Sequence, residues 1–350
     1  MEKIRNPQSA IVLVTGGAGF IGSNFIRYIL KAYPGDIVVN LDKLTYAGNL
    51  ENLEEIKNAQ GYRLIRGDIA DRELVNRLFE KERFDLIVNF AAESHVDRSI
   101  LDAAPFIETN IKGTQVLLEA ARYYGVKRFL QVSTDEVYGS LGQEGLFRED
   151  SPLRPNSPYA ASKAAADMLG STYYNTYDLP VIITRSSNNY GPYQFPEKLI
   201  PLMIRNALNN IKLPVYGQGK NIRDWLYVED NCRAIDLILR NGRVGEVYNI
   251  GADCERENLE IVKLILKKLN KPESLIEFIK DPRGKAHDFR YGLDSSKVRT
   301  ALNWIPRYNL EEGLNKTIEW YLSHQGWLER VVTGEYLDYY QKVYGIAIRK

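Results

Sequence analysis

Net charge and cysteine are what this chain has least of. Lysine and arginine number 46 against 45 aspartates and glutamates, a net charge of +1 over 350 residues. So even a balance leaves no positive field to attract a phosphate backbone, and no nucleic-acid partner is expected. The two cysteines, Cys232 and Cys254, are too few for a disulfide scaffold and lack metal-ligand spacing, so no metal is expected. Long apolar runs are missing as well. The longest, such as residues 10–14, are strand-sized, well short of the ~18 residues a membrane helix needs. Residues 1–9 are polar and carry no signal-peptide core. There is no repeat and no low-complexity tract. A composition of 44% hydrophobic and 26% charged residues is that of a folded globular chain, not a disordered one. The exclusions leave a cytoplasmic protein, free of the membrane, with a core large enough for about two domains of ~150 residues. The 23 tyrosines fit a chain that handles polar, ring-shaped ligands.

Short β-branched runs at 11–14, 37–41, 62–66, 86–90, 128–132 and 181–185 alternate with helical patterns at 20–31, 49–57, 72–81, 105–124 and 158–177. Strand–helix alternation implies a parallel sheet with helices on both faces, and the nearly continuous apolar strands fit burial on both sides. Past about residue 190 the rhythm gives way to segments rich in Pro, Gly and Asn, which are the loops that hold ligands. The expected organisation is a dinucleotide domain over 1–190 and a smaller substrate-binding lobe over 191–350, with some segments returning to the first.

The first strand runs into Gly16-x-x-Gly19-x-x-Gly22 and then a helix. These glycines suit a tight turn, a close approach of backbone to a pyrophosphate, and close helix–strand contact. The helix start, at Phe20 and Ile21, offers free N–H groups to the phosphates. Asp42 ends the second strand about 20 residues on, where a carboxylate accepts from ribose hydroxyls and repels a 2′-phosphate. A Rossmann-type, doubly wound α/β fold that binds NAD rather than NADP follows, with Lys43 as a mild counter-signal. Asp68 and Ile69 follow the third strand, and Ala91 and Ala92 the fourth. All four sit at carboxyl ends of strands, where such sheets bind ligands.

Tyr159 and Lys163 lie one helical turn apart on one face. A tyrosinate is a base toward a sugar hydroxyl only when its pKa falls, and the neighbouring ammonium is expected to lower it. Thr134, Asp135 and Glu136 follow the fifth strand, where two adjacent carboxyls would stand over the nicotinamide.

The glycine motif, the Tyr159-x-x-x-Lys163 pair and Asn188-Asn189-Tyr190-Gly191-Pro192 resemble the extended short-chain dehydrogenase/reductase superfamily. Ala91-Ala92-Glu93-Ser94-His95-Val96-Asp97-Arg98-Ser99, Thr134-Asp135-Glu136-Val137-Tyr138-Gly139 and Arg223-Asp224-Trp225-Leu226-Tyr227-Val228 narrow this to the dTDP-glucose 4,6-dehydratase family. The resemblance implies a hydro-lyase acting on a nucleotide-activated hexose. In it Tyr159 with Lys163 serves C4 oxidation, Glu136 takes the C5 proton, Asp135 protonates the departing C6 hydroxyl, and Thr134 bonds near O4. It adds Thr109 and Asn189 to the cofactor set. For the nucleotide sugar it implies Ser94, Thr134, Asn188, Lys198, Leu199, Pro214, Tyr216, Arg223, Asn258, Arg283, His287 and Tyr291. The bland alternatives are an exposed Lys198, an Arg223 spent on Asp224, and a lone exposed His287. The family's Asp-Arg-Pro-Gly-His-Asp stretch is altered here, over residues 281–291, with the order swapped and two residues inserted. A UDP-sugar such as UDP-N-acetylglucosamine, or a 4-epimerase activity, is therefore an alternative reading. The family also implies a homodimer through the helices at 105–124 and 158–177.

Overall fold

The structure, a computed structural model, describes residues 9–332; the polar stretch 1–8 and the end of the second lobe, 333–350, lie outside the described residues. Strands β1 (Ile11–Thr15), β2 (Ile37–Asp42), β3 (Tyr62–Arg66), β4 (Leu86–Asn89), β5 (Arg128–Thr134) and β6 (Val181–Ser186) alternate with helices. The chain then leaves this layer through β7 (Asn188–Tyr190), β8 (Leu213–Tyr216) and β9 (Ile222–Tyr227), and rejoins it at β10 (Val247–Ile250). The resulting seven-stranded sheet has the order β10-β6-β5-β4-β1-β2-β3, and every pairing in it is parallel. The strand order reverses between β1 and β4. That opens a crevice at their carboxyl ends, which is where an open α/β sheet takes its ligand.

Helices cover both faces. Val12, Val14, Phe25 and Ile29 pack with Ile235 and Leu239 of the helix Val228–Asn241 on one side. Leu13, Val39, Val75 and Leu117 fill the other. The edge strand β3 departs from the apolar expectation: only Tyr62 in it is buried, because the strand ends the sheet and pairs on one side alone among the described residues. The remaining strands make two small sheets, β7 and β9 with β11 (Glu255–Glu257), and β8 with β12 (Ile276–Ile279). A separate core around Met203, Trp225, Ile261 and Tyr321 supports them.

Two helical expectations need correction. Over 49–57 the chain makes only a short 3-10 turn, Leu50–Leu53, followed by turns. The cause is Asn52, whose side chain turns inward to bond the backbone of Ala18 instead of facing water. Over 105–124 the helix is interrupted by a π-helical segment, Ile107–Gly113. Buried Asn110 is pulled toward Glu93, and Gly113 lies so close that a Cβ there would fall 2.6 Å from Ile69.

Candidate active site

The turn after β1 is shaped by contact. Gly16 has φ +69°, and a Cβ on it would lie 2.6 Å from the backbone N of Ala91, so only glycine fits. Gly22 approaches the Gly16 carbonyl equally closely. Asp42, at the end of β2, is buried; its Oδ2 accepts from Ala18 N and its Oδ1 from Leu44 N, both at 2.8 Å. Burial raises its pKa, and these two bonds hold it down. Lys43, the counter-signal, is engaged elsewhere, 2.6 Å from Asp68. A cleft opens here. Gly16, Gly19, Phe20, Ile21, Gly22, Asp42, Asp68, Ile69, Ala91, Ala92 and Thr109 line it. Its helix N-terminus and its acceptor at the ribose end fit a dinucleotide. Asp42→Asn should raise the ratio of NADP to NAD affinity about tenfold, since an amide no longer repels a phosphate. Binding titrations of both cofactors check this, and an unchanged ratio would remove Asp42 from the discrimination.

The same cleft continues to Thr134, Asp135, Glu136, Tyr159 and Lys163. Ser157 caps the helix Pro158–Tyr177, its Oγ accepting from Ala160 N at 3.1 Å, which places Tyr159 in the first turn and Lys163 in the next. Lys163 is buried. Its Nζ donates to the carbonyl of Val132 at 2.6 Å, and burial lowers its pKa to about 8. Tyr159 packs edge-on against Phe106, 6.3 Å between centroids. The expected lowering of the Tyr159 pKa is not found in the chain by itself. Burial, then the charge of Glu136, push it up against a hydrogen bond with Thr134. Lys163 is held by Val132 and does not offset this burial.

The two carboxyls differ sharply. Asp135 is 2% exposed, accepts from Thr134 Oγ1 at 3.2 Å through Oδ1, and among the described residues has no hydrogen-bond partner for Oδ2. Burial, then the charge of Glu136, raise its pKa well above the carboxylate range. Burial raises Glu136 too, but Lys198, Arg283 and Arg223 all pull it back. The neighbours therefore favour a proton on Asp135 and a charge on Glu136.

A second cavity adjoins the first, and Glu136, Asn188, Asn189 and Lys198 line both. Ser94 lies on the first; Leu199, Pro214, Tyr216, Arg223, Asn258, Arg283, His287 and Tyr291 lie on the second. Lys198 is not an exposed lysine: its Nζ donates to the carbonyl of Ser94 at 2.9 Å. Arg223 is not spent on Asp224. It donates to the carbonyls of Ile222, Phe289 and Asp288 and lies over the ring of Tyr291, 4.3 Å from its centroid. Asp224 instead accepts from Ala252 N and Cys254 N. His287 is not exposed either, with 6% of its side chain accessible and Nδ1 on Asp281. The altered loop closes through Arg283, which is ion-paired with Asp97.

Three residues in or beside the site have no role assigned from the sequence. Asp97 holds both Arg283 and Tyr216; burial opposes its charge, but Arg283 brings its pKa down to about 2. Asn110 bonds Glu93 N at 2.9 Å and Ser162 Oγ at 2.8 Å, tying the loop after β4 to the turn that carries Lys163. Glu197 lines both cavities with its side chain 2% exposed, 3.3 Å from Arg98 Nε. Its neighbour Lys198 was the only flag available. Burial raises the Glu197 pKa from 4.5 to about 7. A carboxyl raised on folding contributes stability below its unfolded pKa and loses it as pH climbs through the folded one. Glu197→Gln should therefore gain melting temperature relative to the parent between about pH 5 and pH 8. A pH-independent difference would contradict that assignment.

No helix among the described residues is long and apolar enough to cross a membrane. A family model described as GDP-mannose 4,6 dehydratase matches residues 13–317. A dTDP-glucose 4,6-dehydratase from Xanthomonas campestris pv. campestris (strain B100) is 51% identical over 342 residues, covering 93% of this chain and 96% of its own. The crystal structure of a dTDP-glucose 4,6-dehydratase from Bacillus anthracis str. Ames in complex with NAD superposes with a TM-score of 0.87 at 49% identity, covering 92% of this chain and 99% of its own. A dTDP-glucose 4,6-dehydratase from Streptomyces venezuelae, crystallised with NAD bound, gives a TM-score of 0.89 at 49% identity with the same coverage. With half of its residues shared along nearly the whole length of such relatives, and a fold that superposes on theirs, this chain belongs to the dTDP-glucose 4,6-dehydratase family.

Proposed function

We propose that the chain is a hydro-lyase that converts dTDP-glucose to a 4-keto-6-deoxy sugar nucleotide. The observation that carries this is the pair of adjacent carboxyls, one set to keep a proton and the other set to lose it. Water elimination needs an acid and a base beyond the group that takes the C4 hydroxyl proton, and oxidation and reduction at C4 alone call for neither of these two. NAD, when bound, supplies the oxidant that takes a hydride from C4 and gives it back at C6, and its positive charge favours a tyrosinate. Tyr159 takes the proton of the C4 hydroxyl, with Thr134 bonding near the same oxygen. Once C4 is a ketone the C5 hydrogen is acidic, and Glu136, whose charge Lys198, Arg283 and Arg223 support against burial, removes it. Asp135 gives its proton to the C6 hydroxyl, which leaves as water, and the protonated Glu136 returns a proton to C5 as C6 is reduced. Arg223 and Arg283 are the cations suited to the diphosphate. Likeness to the relatives supports thymidine as the nucleoside. Turnover of dTDP-glucose, UDP-glucose and UDP-N-acetylglucosamine, followed by product mass, tests the assignment. A product lighter by one water is expected first with dTDP-glucose. Isomerisation without mass loss would mean an epimerase instead.

The enzyme is further proposed to act as a homodimer in the cytoplasm. Ile100, Leu101, Ile107, Tyr123, Met168 and Tyr177 are exposed on and beside the helices at 105–124 and 158–177, an apolar surface of the kind that partners cover. Cys232 and Cys254 are free, as in a reducing compartment. Met168 is 61% exposed, so Met168→Asp should shift the protein to monomer in light scattering without unfolding it. A dimer of unchanged strength would count against this surface.

A further inference from the structure

The glycine turn spends its own N–H groups inward, Gly17 N on Asn40 Oδ1 at 3.0 Å and Ala18 N on Asp42 Oδ2 at 2.8 Å. The carbonyl of Ala18 is held from outside β1 and β2. Asn52 Nδ2 donates to it at 2.8 Å, and Asn49 N at 3.1 Å. Asn52 is 2% exposed, and its Oδ1 accepts from Trp327 Nε1 at 2.9 Å. Trp327 sits in the core of the other lobe, its ring 5.1 Å from Trp320 and 6.2 Å from Tyr193. Both ends of one buried amide are thus committed, the donor to the dinucleotide turn and the acceptor to an indole near the end of the described chain. A buried amide bonded at both ends has one orientation, and each bond polarises the other. Neither residue lines a cavity.

We infer that Asn52 and Trp327 are positioning residues for NAD. The indole fixes the amide, and the amide fixes the turn on which Gly19 to Gly22 present their backbone to the pyrophosphate. The C-terminal aromatic cluster of one lobe thereby sets cofactor retention in the other. The inference rests on reading the first cleft as the NAD site. Trp327→Phe keeps the ring and drops the N–H; Asn52→Leu drops both bonds; Asn52→Asp keeps the acceptor and loses the donor.

The test is NAD release from the holoenzyme, with NAD affinity measured by titration of the stripped protein. Trp327→Phe should weaken NAD about threefold and either Asn52 variant about tenfold, mostly through faster release. In the Trp327→Phe/Asn52→Leu double variant the effects should not add, because both act through one amide. At saturating NAD, kcat and the KM for the nucleotide sugar should stay within about twofold of the parent, which a general loss of packing would not allow. Folded variants with parental NAD affinity, or effects that add, would overturn the inference and leave the cleft assignment standing. A parent protein that binds no NAD would overturn both.

Discussion

Tyr159→Phe is expected to abolish turnover, by about 10³-fold or more, while nucleotide-sugar affinity changes little. The edge-on packing against Phe106, 6.3 Å between centroids, survives in phenylalanine, so the helix and the pocket wall keep their form. What is lost is the hydroxyl beside Thr134, one helical turn from Lys163, that is assigned to take the proton from O4. Rapid mixing with substrate should then show no reduced-cofactor absorbance at any time. Formation of reduced cofactor at the parental rate would remove Tyr159 from the first step. Burial and the charge of Glu136 raise the Tyr159 pKa in the chain by itself. Glu136→Gln alone should therefore ease ionisation of Tyr159, and the two variants must behave differently.

That difference is the second large effect. In Glu136→Gln oxidation at C4 should persist, since its groups are intact, but an amide cannot take the C5 proton. The enzyme is expected to stall with the 4-keto hexose nucleotide and reduced cofactor, losing about 10²–10⁴ in overall rate. Absorbance of the reduced nicotinamide should build up and stay, and solvent deuterium should not enter C5. Parental turnover with parental deuterium uptake would show that Glu136 is not the base and would move the role to Asp135. Arg223 draws on both carboxyls, while Lys198 and Arg283 favour the charged form of Glu136 and burial keeps the proton on Asp135, whose Oδ2 has no hydrogen-bond partner among the described residues.

Where a residue's role follows from local geometry, the sequence displays it. The Gly16 turn, the Asp42 acceptor and the one-turn offset between Tyr159 and Lys163 are set by a strand end or a helix period, and a linear reading reaches them. The acids at 135 and 136 stand out because they follow a central strand. The pKa of Tyr159 is different. Spacing shows the lysine nearby, but not that its Nζ is held by the Val132 carbonyl or that the ring is buried. Asp97 and Arg283 are far apart in sequence and meet only because the second lobe folds back over the first, so the altered loop gives no sign in the sequence of the ion pair it makes. Asn52 looked like one more residue of an amphipathic helix, and its inward turn toward Ala18 became visible only with the glycine turn in place. β10 escaped the strand reading because it returns to the sheet after three strands of another lobe.

The central claim is that one active site oxidises C4, eliminates water across C5 and C6, and reduces C6 with the hydride it removed. Turnover of dTDP-glucose carrying deuterium at C4, with the product's label placed by NMR, tests it most directly. The account expects deuterium at C6 of a 4-keto-6-deoxy product, transferred within one molecule. Label returned to C4 of an intact hexose, or lost from the product, would contradict it.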